Sequence, residues 1–144
     1  MPEYVTPSFQ ELTVGDEILV MVERPGEVQL FLFSAVTWDT HRTHFDAPYS
    51  VDVEDLPGIL VHGHLQGTFL GKLVSQWVSP GGRLASITYQ NRGMSVPGDE
   101  LSCHGRITAK REEDGKGLVD LEVWVEKQTG DITTTGQATA ELPL

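Results

Sequence analysis

The chain has 144 residues, 39% of them hydrophobic and 22% charged, the balance of an ordinary globular protein. That length supports one sizeable core, and a single domain over residues 1–144 is expected. The formal net charge of −11 argues against nucleic acid or an anionic membrane surface as the main partner. No apolar run reaches the roughly 20 residues of a membrane helix. The opening Met1-Pro2-Glu3-Tyr4-Val5 has no basic stretch followed by an apolar one, so no secretory signal is expected. The lone Cys103 has no partner for an internal disulfide, which fits a reducing cytoplasm.

Residues 1–16 predict an extended lead-in that ends in the turn Val14-Gly15-Asp16. Residues 17–23 form a compact apolar run rich in β-branched side chains and predict a strand. Pro25-Gly26 then marks a turn. Residues 28–36 are too evenly apolar for their period to separate a strand from a buried helix. Residues 37–58 are polar and punctuated by proline and glycine, and loops of that length in compact domains are usually functional.

From Gly63 to about Val78 the period becomes helical, with Leu65, Phe69, Leu73 and Trp77 at every fourth position and Leu70 and Val74 beside them. Glycine inside a helix is destabilising, so Gly67 and Gly71 predict close packing by a neighbour. Ser79-Pro80-Gly81-Gly82 ends the helix.

The last sixty residues predict antiparallel strands. Residues 84–92 form one. A second runs from Glu100 to about Arg111, with Leu101, Cys103, Gly105, Ile107 and Ala109 on one face. A hairpin turn at residues 113–117 leads to a strand with Val119, Leu121, Val123 and Val125 on one face. Thr129-Gly130-Asp131 turns again into residues 132–142. An apolar sheet face needs a cover, and the helix over residues 63–78 is the one long enough to supply it. The expected fold is therefore α+β: a long central helix wrapped by a curved antiparallel sheet of about five strands. Its free edge predicts pairing with a second copy.

Four of the five histidines lie in two clusters, Thr37–Asp46 and Leu60–His64. The first sets Asp39 five residues before His44, and acid–base chemistry needs a carboxylate near an imidazole. The second opens the helix, where a backbone N–H can meet a developing anion. From spacing alone Asp39 is equally a turn-forming aspartate, and His44 a satisfied core histidine. Gly63 is equally a close-packing glycine, and His41 either lines a pocket or holds the loop. His41-x-x-His44 and His62-x-His64 invite a metal reading. Neither pair sits at i, i+4 on a clear helix or on one clear strand, so no metal is expected. Arg42, Lys72, Arg83 and Arg92 are candidate cations for an anionic ligand, or solvated surface charges. Cys103 reads as a small core residue. No Gly-x-Ser-x-Gly elbow is present.

Phe33-Ser34-Ala35-Val36-Thr37-Trp38-Asp39-Thr40-His41-Arg42-Thr43-His44-Phe45-Asp46, followed by Pro57-Gly58-Ile59-Leu60-Val61-His62-Gly63, resembles the MaoC-like hydratase/dehydratase family. Within it the likeness is to the branch of hydroxyacyl-thioester dehydratase type 2 and mesaconyl-type CoA hydratases. Val96-Pro97-Gly98-Asp99-Glu100-Leu101 and residues 136–143 look like the family's closing strands. The resemblance covers roughly residues 10–143. It implies the hotdog fold, a helix over residues 28–36, and reversible hydration of an enoyl thioester to a 3-hydroxyacyl thioester.

The resemblance further implies that Asp39 and His44 are the catalytic pair, with Asp39 as base and His44 as acid or water-holder. Gly63 would supply the oxyanion N–H. His41, His62, His64 and Arg42 are candidate substrate-binding residues, and Asp46 would orient the loop. No metal or redox cofactor is implied. The substrate would be an acyl-CoA or acyl-carrier-protein thioester. The assembly would be a homodimer, a higher oligomer, or a heteromer with a second hotdog chain. The rival readings are a hotdog acyl-CoA thioesterase and a non-catalytic acyl-binding subunit. Three departures alter the pocket wall. His41-Arg42 replace the usual Asn-Pro, Asp39 stands where the mesaconyl branch often has Asn, and Gly71 falls near a site serine of some hydratases. Small residues Gly67, Thr68 and Gly71 would leave room above the helix for a long or bulky acyl chain.

Overall fold

The computed structural model describes residues 5–144, so the expectation for Met1–Tyr4 lies outside the described residues. Five strands and two long helices follow in order: β1 Met21–Glu23, α1 Glu27–Thr37, α2 Gly63–Val78, β2 Arg83–Asn91, β3 Leu101–Glu113, β4 Lys116–Lys127 and β5 Ile132–Pro143. The strands form one antiparallel sheet in the order β1-β3-β4-β5-β2. Among the described residues no helix is long and apolar enough to cross a membrane.

The sheet curls around α2, whose buried residues include Leu65, Phe69, Leu70, Leu73, Val74 and Val78. They meet the inward faces of β3, β4 and β5, where Leu101, Cys103, Ile107, Val119, Leu121, Val123, Val125, Ala138, Ala140 and Leu142 are buried. At about 25 cal/mol per Å² of apolar surface removed from water, this contact is the main stabilising term of the fold. Register shifts at Leu84/Ser86, Ile107/Ala109 and Val125/Glu126 bend the strands. The shift after Ile107 also corrects the expected alternation. It takes Ala109 off the buried face and sets Lys110 opposite Val119, with its ammonium over the Phe9 ring.

The strand expected over residues 17–23 is shorter, β1 alone, preceded by an isolated bridge between Glu17 and Arg106. Ile18 is buried against Gly105, and its N–H donates to the Gly105 carbonyl at 2.9 Å. Leu19 then swings out to 78% exposure, which breaks the pairing. Residues 28–36 are helical, as the resemblance implied. Leu30 and Ser34, four apart, form the buried stripe of α1. Val28, Phe31, Leu32 and Val36 remain exposed. Residues 37–58 carry only short turns, a 3-10 turn at Arg42–His44 and a π turn at Tyr49–Val53.

Candidate active site

The end of α1 sets the position of Asp39. Trp38 takes a left-handed conformation (φ 57°) that stops the helix, and its N–H donates to the Ser34 carbonyl. The Asp39 N–H donates to the same carbonyl at 3.0 Å. Asp39 Oδ1 then accepts the His41 N–H at 3.1 Å, an Asx turn. The spacing therefore leaves Oδ2 free of this turn.

His44 follows in the 3-10 turn. The segment is tied to the strand-like stretch ahead of α2 by the Leu60 N–H, which donates to the Thr43 carbonyl at 2.8 Å. The His44 ring is tied there too, with Nδ1 2.8 Å from the Leu60 carbonyl oxygen. A carbonyl only accepts, so Nδ1 carries the hydrogen and Nε2 is turned to the other side. There it faces Asp39 Oδ2 at 3.8 Å. That gap is too long for a direct hydrogen bond, but one water fits within hydrogen-bond reach of both atoms.

His62 lies beneath His44, with ring centroids 3.8 Å apart and planes 18° from parallel. It is 1% exposed. One nitrogen, Nε2, pairs with Ser34 Oγ at 2.8 Å, and Nδ1 has no partner among the described residues. Burial, and then the neighbouring His44, push its pKa from 6.5 down to about 4, so His62 is neutral at physiological pH. Directly after it Gly63 starts α2. The Gly63 N–H is one of the N-terminal groups that the helix leaves unpaired, at the positive end of its dipole.

Asp39, His44, His62, Gly63, His64, Tyr89 and Asn91 line a cavity of about 270 Å³. The structure thus brings together Asp39, His44, Gly63, His62 and His64. It does not bring Arg42 or His41 to this cavity. Arg42 pairs with Asp46 at 2.6 Å and lies over the Tyr49 ring. That guanidinium, with the Tyr49 N–H, holds the Asp46 carboxyl below its ordinary range, so Asp46 orients the loop. His41 Nδ1 pairs with Thr43 Oγ1 at 2.6 Å, which makes it a loop-holding side chain. Of the other candidate cations, Lys72 pairs with Glu23, Arg83 with Glu141, and the Arg92 side chain with the Thr135 hydroxyl. A larger hollow of about 650 Å³ on the sheet beside Trp124 has no carboxylate–imidazole pair, and its Arg106 is bound to Glu17 and Glu122.

Tyr89 and Asn91 are site residues that the sequence does not single out. Their signal is the pair of glycines they press on. A methyl on Gly67 would overlap the Tyr89 ring, and one on Gly63 would sit 3.2 Å from Asn91 Cβ. The room expected above Gly67 is therefore filled by Tyr89, whose hydroxyl pairs with His64 Nδ1 at 3.0 Å.

Ligand atoms of Asp39, His44 and His62 lie within 4.8 Å of one another, close enough to test as a cation site. A shared ion would have to lie in the plane of each imidazole, about 2.0–2.1 Å from its nitrogen. Two stacked rings do not point their lone pairs at one such place, and Ser34 already holds one His62 nitrogen. The arrangement suits a water rather than an ion.

A family profile for hydroxyacyl-thioester dehydratase type 2 matches residues 16–97. Mesaconyl-C(4)-CoA hydratase of Chloroflexus aurantiacus is 36% identical over 73 residues, which is 51% of this chain and 26% of that protein. Fatty acid synthase subunit beta of Aspergillus oryzae is 30% identical over 120 residues, 74% of this chain and 6% of that one. The chain thus spans about a quarter or less of the length of these curated relatives. Among solved structures, an (R)-hydratase from A. caviae involved in PHA biosynthesis superposes with a TM-score of 0.83 at 24% identity, covering 93% of this chain and 99% of that chain. That likeness establishes the hotdog fold.

Proposed function

The chain belongs to the hydroxyacyl-thioester dehydratase type 2 family, and from that membership we propose that it adds water reversibly across the 2,3 double bond of an enoyl thioester. The observation that carries this reading is the 3.8 Å gap between Asp39 Oδ2 and His44 Nε2, in a cavity that Gly63 also lines.

A water in that gap donates one hydrogen to Asp39 and the other to His44 Nε2, the ring nitrogen that Leu60 does not engage. As its oxygen bonds to C3, one O–H bond breaks and the proton passes to the pair. The π electrons move toward the thioester oxygen, which takes enolate character. The proton is then delivered to C2 from the same face, and the thioester carbonyl re-forms. Asp39 and His44 share one water, so they act as a unit rather than as a separable acid and base. The Gly63 N–H and the α2 dipole stabilise the enolate oxygen. Atoms and electrons balance without a redox partner. His62 supports the His44 ring from below, and His64, hydrogen-bonded to Tyr89, also lines the cavity.

Hydration of crotonyl-CoA and longer enoyl-CoAs, followed by loss of enoyl absorbance, tests the proposal. Water addition without thiol release supports it. Release of free thiol from acyl-CoA with no hydration would instead make the chain a thioesterase. Competition between acyl-CoA and acyl-carrier-protein substrates identifies the carrier. We further propose a homodimer, because β1 and β2 are free sheet edges among the described residues and α1 exposes Val28, Phe31, Leu32 and Val36. Light scattering should give twice the chain mass of 15.9 kDa. A monomer, or co-purification with a second hotdog chain, would overturn that.

A further inference from the structure

We propose that the carboxamide of Asn91 is a second donor to the thioester oxygen, beside the Gly63 N–H and held in place by Thr134. The inference rests on the hydration reading above and adds to it a residue on a different element. Asn91 ends β2 and lines the cavity. Its side chain lies against the start of α2, since a methyl on Gly63 would sit 3.2 Å from Asn91 Cβ and Cγ and 3.5 Å from Nδ2. The amide nitrogen therefore lies close to Gly63, whose N–H the hydration reading assigns to the developing charge.

The orientation of the amide follows from what lies behind it. Asn91 is paired across the sheet with Thr134, which is fully buried. The Thr134 hydroxyl is 3.2 Å from Asn91 Oδ1 and 3.0 Å from Gln66 Oε1. It has a single proton to give. Gln66 Oε1 already accepts the Thr133 hydroxyl proton at 2.6 Å. Asn91 Oδ1 has no other donor among the described residues, so the Thr134 proton is assigned to it. With its oxygen engaged inward, the Asn91 amide turns its N–H groups to the cavity. Gln66 and Thr133 are themselves buried and share a hydrogen bond, so buried polar groups lie behind Thr134. Pre-aimed donors of this kind act on a charge that grows during the reaction, and so on kcat more than on KM.

Crotonyl-CoA hydration by the whole chain tests this. Asn91→Ala should lower kcat about 10- to 100-fold and leave KM within about threefold, with Tm unchanged. Asn91→Asp should be worse, because a carboxylate opposes the enolate. Thr134→Val should lose part of the rate, and Thr134→Ser, which restores the hydroxyl, should recover it. An Asn91→Ala enzyme with kcat within twofold of the parent would overturn the proposal while leaving hydration intact. So would an Asn91→Asp enzyme faster than Asn91→Ala, since the amide oxygen would then face the cavity. A second readout does not need turnover. Butyryl-CoA, which has no double bond to hydrate, should shift the Asn91 side-chain amide resonance, identified by its disappearance in Asn91→Asp. A shift in a wild-type protein that fails to hydrate crotonyl-CoA would sink the hydration reading and keep this contact. An unmoved resonance at saturating butyryl-CoA would sink the contact.

Discussion

Acidification should destabilise this fold through His62. The ring is 1% exposed, packed edge-on against Phe33 at 4.8 Å and stacked on His44. Burial, and then His44, lower its pKa from 6.5 to about 4. A depressed native pKa means that between these values the unfolded chain binds a proton that the native ring refuses. Stability is therefore whole above pH 6.5 and is lost as pH falls toward 4, at about 1.4 kcal/mol per pH unit. By pH 5 the loss from this one residue is about 2 kcal/mol. The assay is urea unfolding at pH 7.5 and pH 5.0, at equal protein concentration, for the parent and for His62→Gln. Glutamine keeps a polar partner for Ser34 but does not titrate. The parent should lose about 2 kcal/mol more than the variant over that interval. Equal losses in the two proteins would show that His62 is not held neutral by its surroundings, and the account of the stacked pair would fail.

Two further outcomes follow from packing. Gly67→Ala forces the Tyr89 ring away from α2 and breaks its bond to His64, so it should destabilise by about 1–3 kcal/mol. A thermal melt with no shift would contradict the close packing. Cys103 is fully buried, and burial pushes its thiol pKa to about 12. It should resist a disulfide exchange reagent at pH 8 until urea is added, whereas reaction in native buffer would place it outside the core.

The helix over Gly63–Val78 was legible because its apolar residues recur every fourth position, and β3 to β5 because theirs alternate. The alternation failed where β3 slips past β4 after Ile107, since register depends on the partner strand and not on local pattern. Residues 28–36 stayed undecided because one helical stripe alone, Leu30 and Ser34, is covered. That Asp39, His44 and Gly63 meet at one cavity was legible from residue type and spacing together with the family likeness. Tyr89 and Asn91 were not, because they lie more than twenty residues beyond Gly63 and reach the cavity only through pairing of β2 with β5. Their imprint in the sequence is indirect, in the glycines they require. Arg42, expected to bind substrate, does not line the cavity. Asp46 stands four residues on and takes its charge, and ion pairing of that spacing competes with any ligand.

The most direct test is steady-state hydration of an enoyl-CoA by Asp39→Asn and His44→Gln beside the parent. Asparagine keeps the oxygen that accepts the His41 N–H, and glutamine keeps an amide near Leu60, so both folds should persist with little change in Tm. Each substitution should lower kcat by about 10²- to 10⁴-fold, and the double variant should be little worse than the poorer single one, as expected of groups that share one water. Either single variant retaining the parent's rate would show that the 3.8 Å gap between these side chains is not where water is activated.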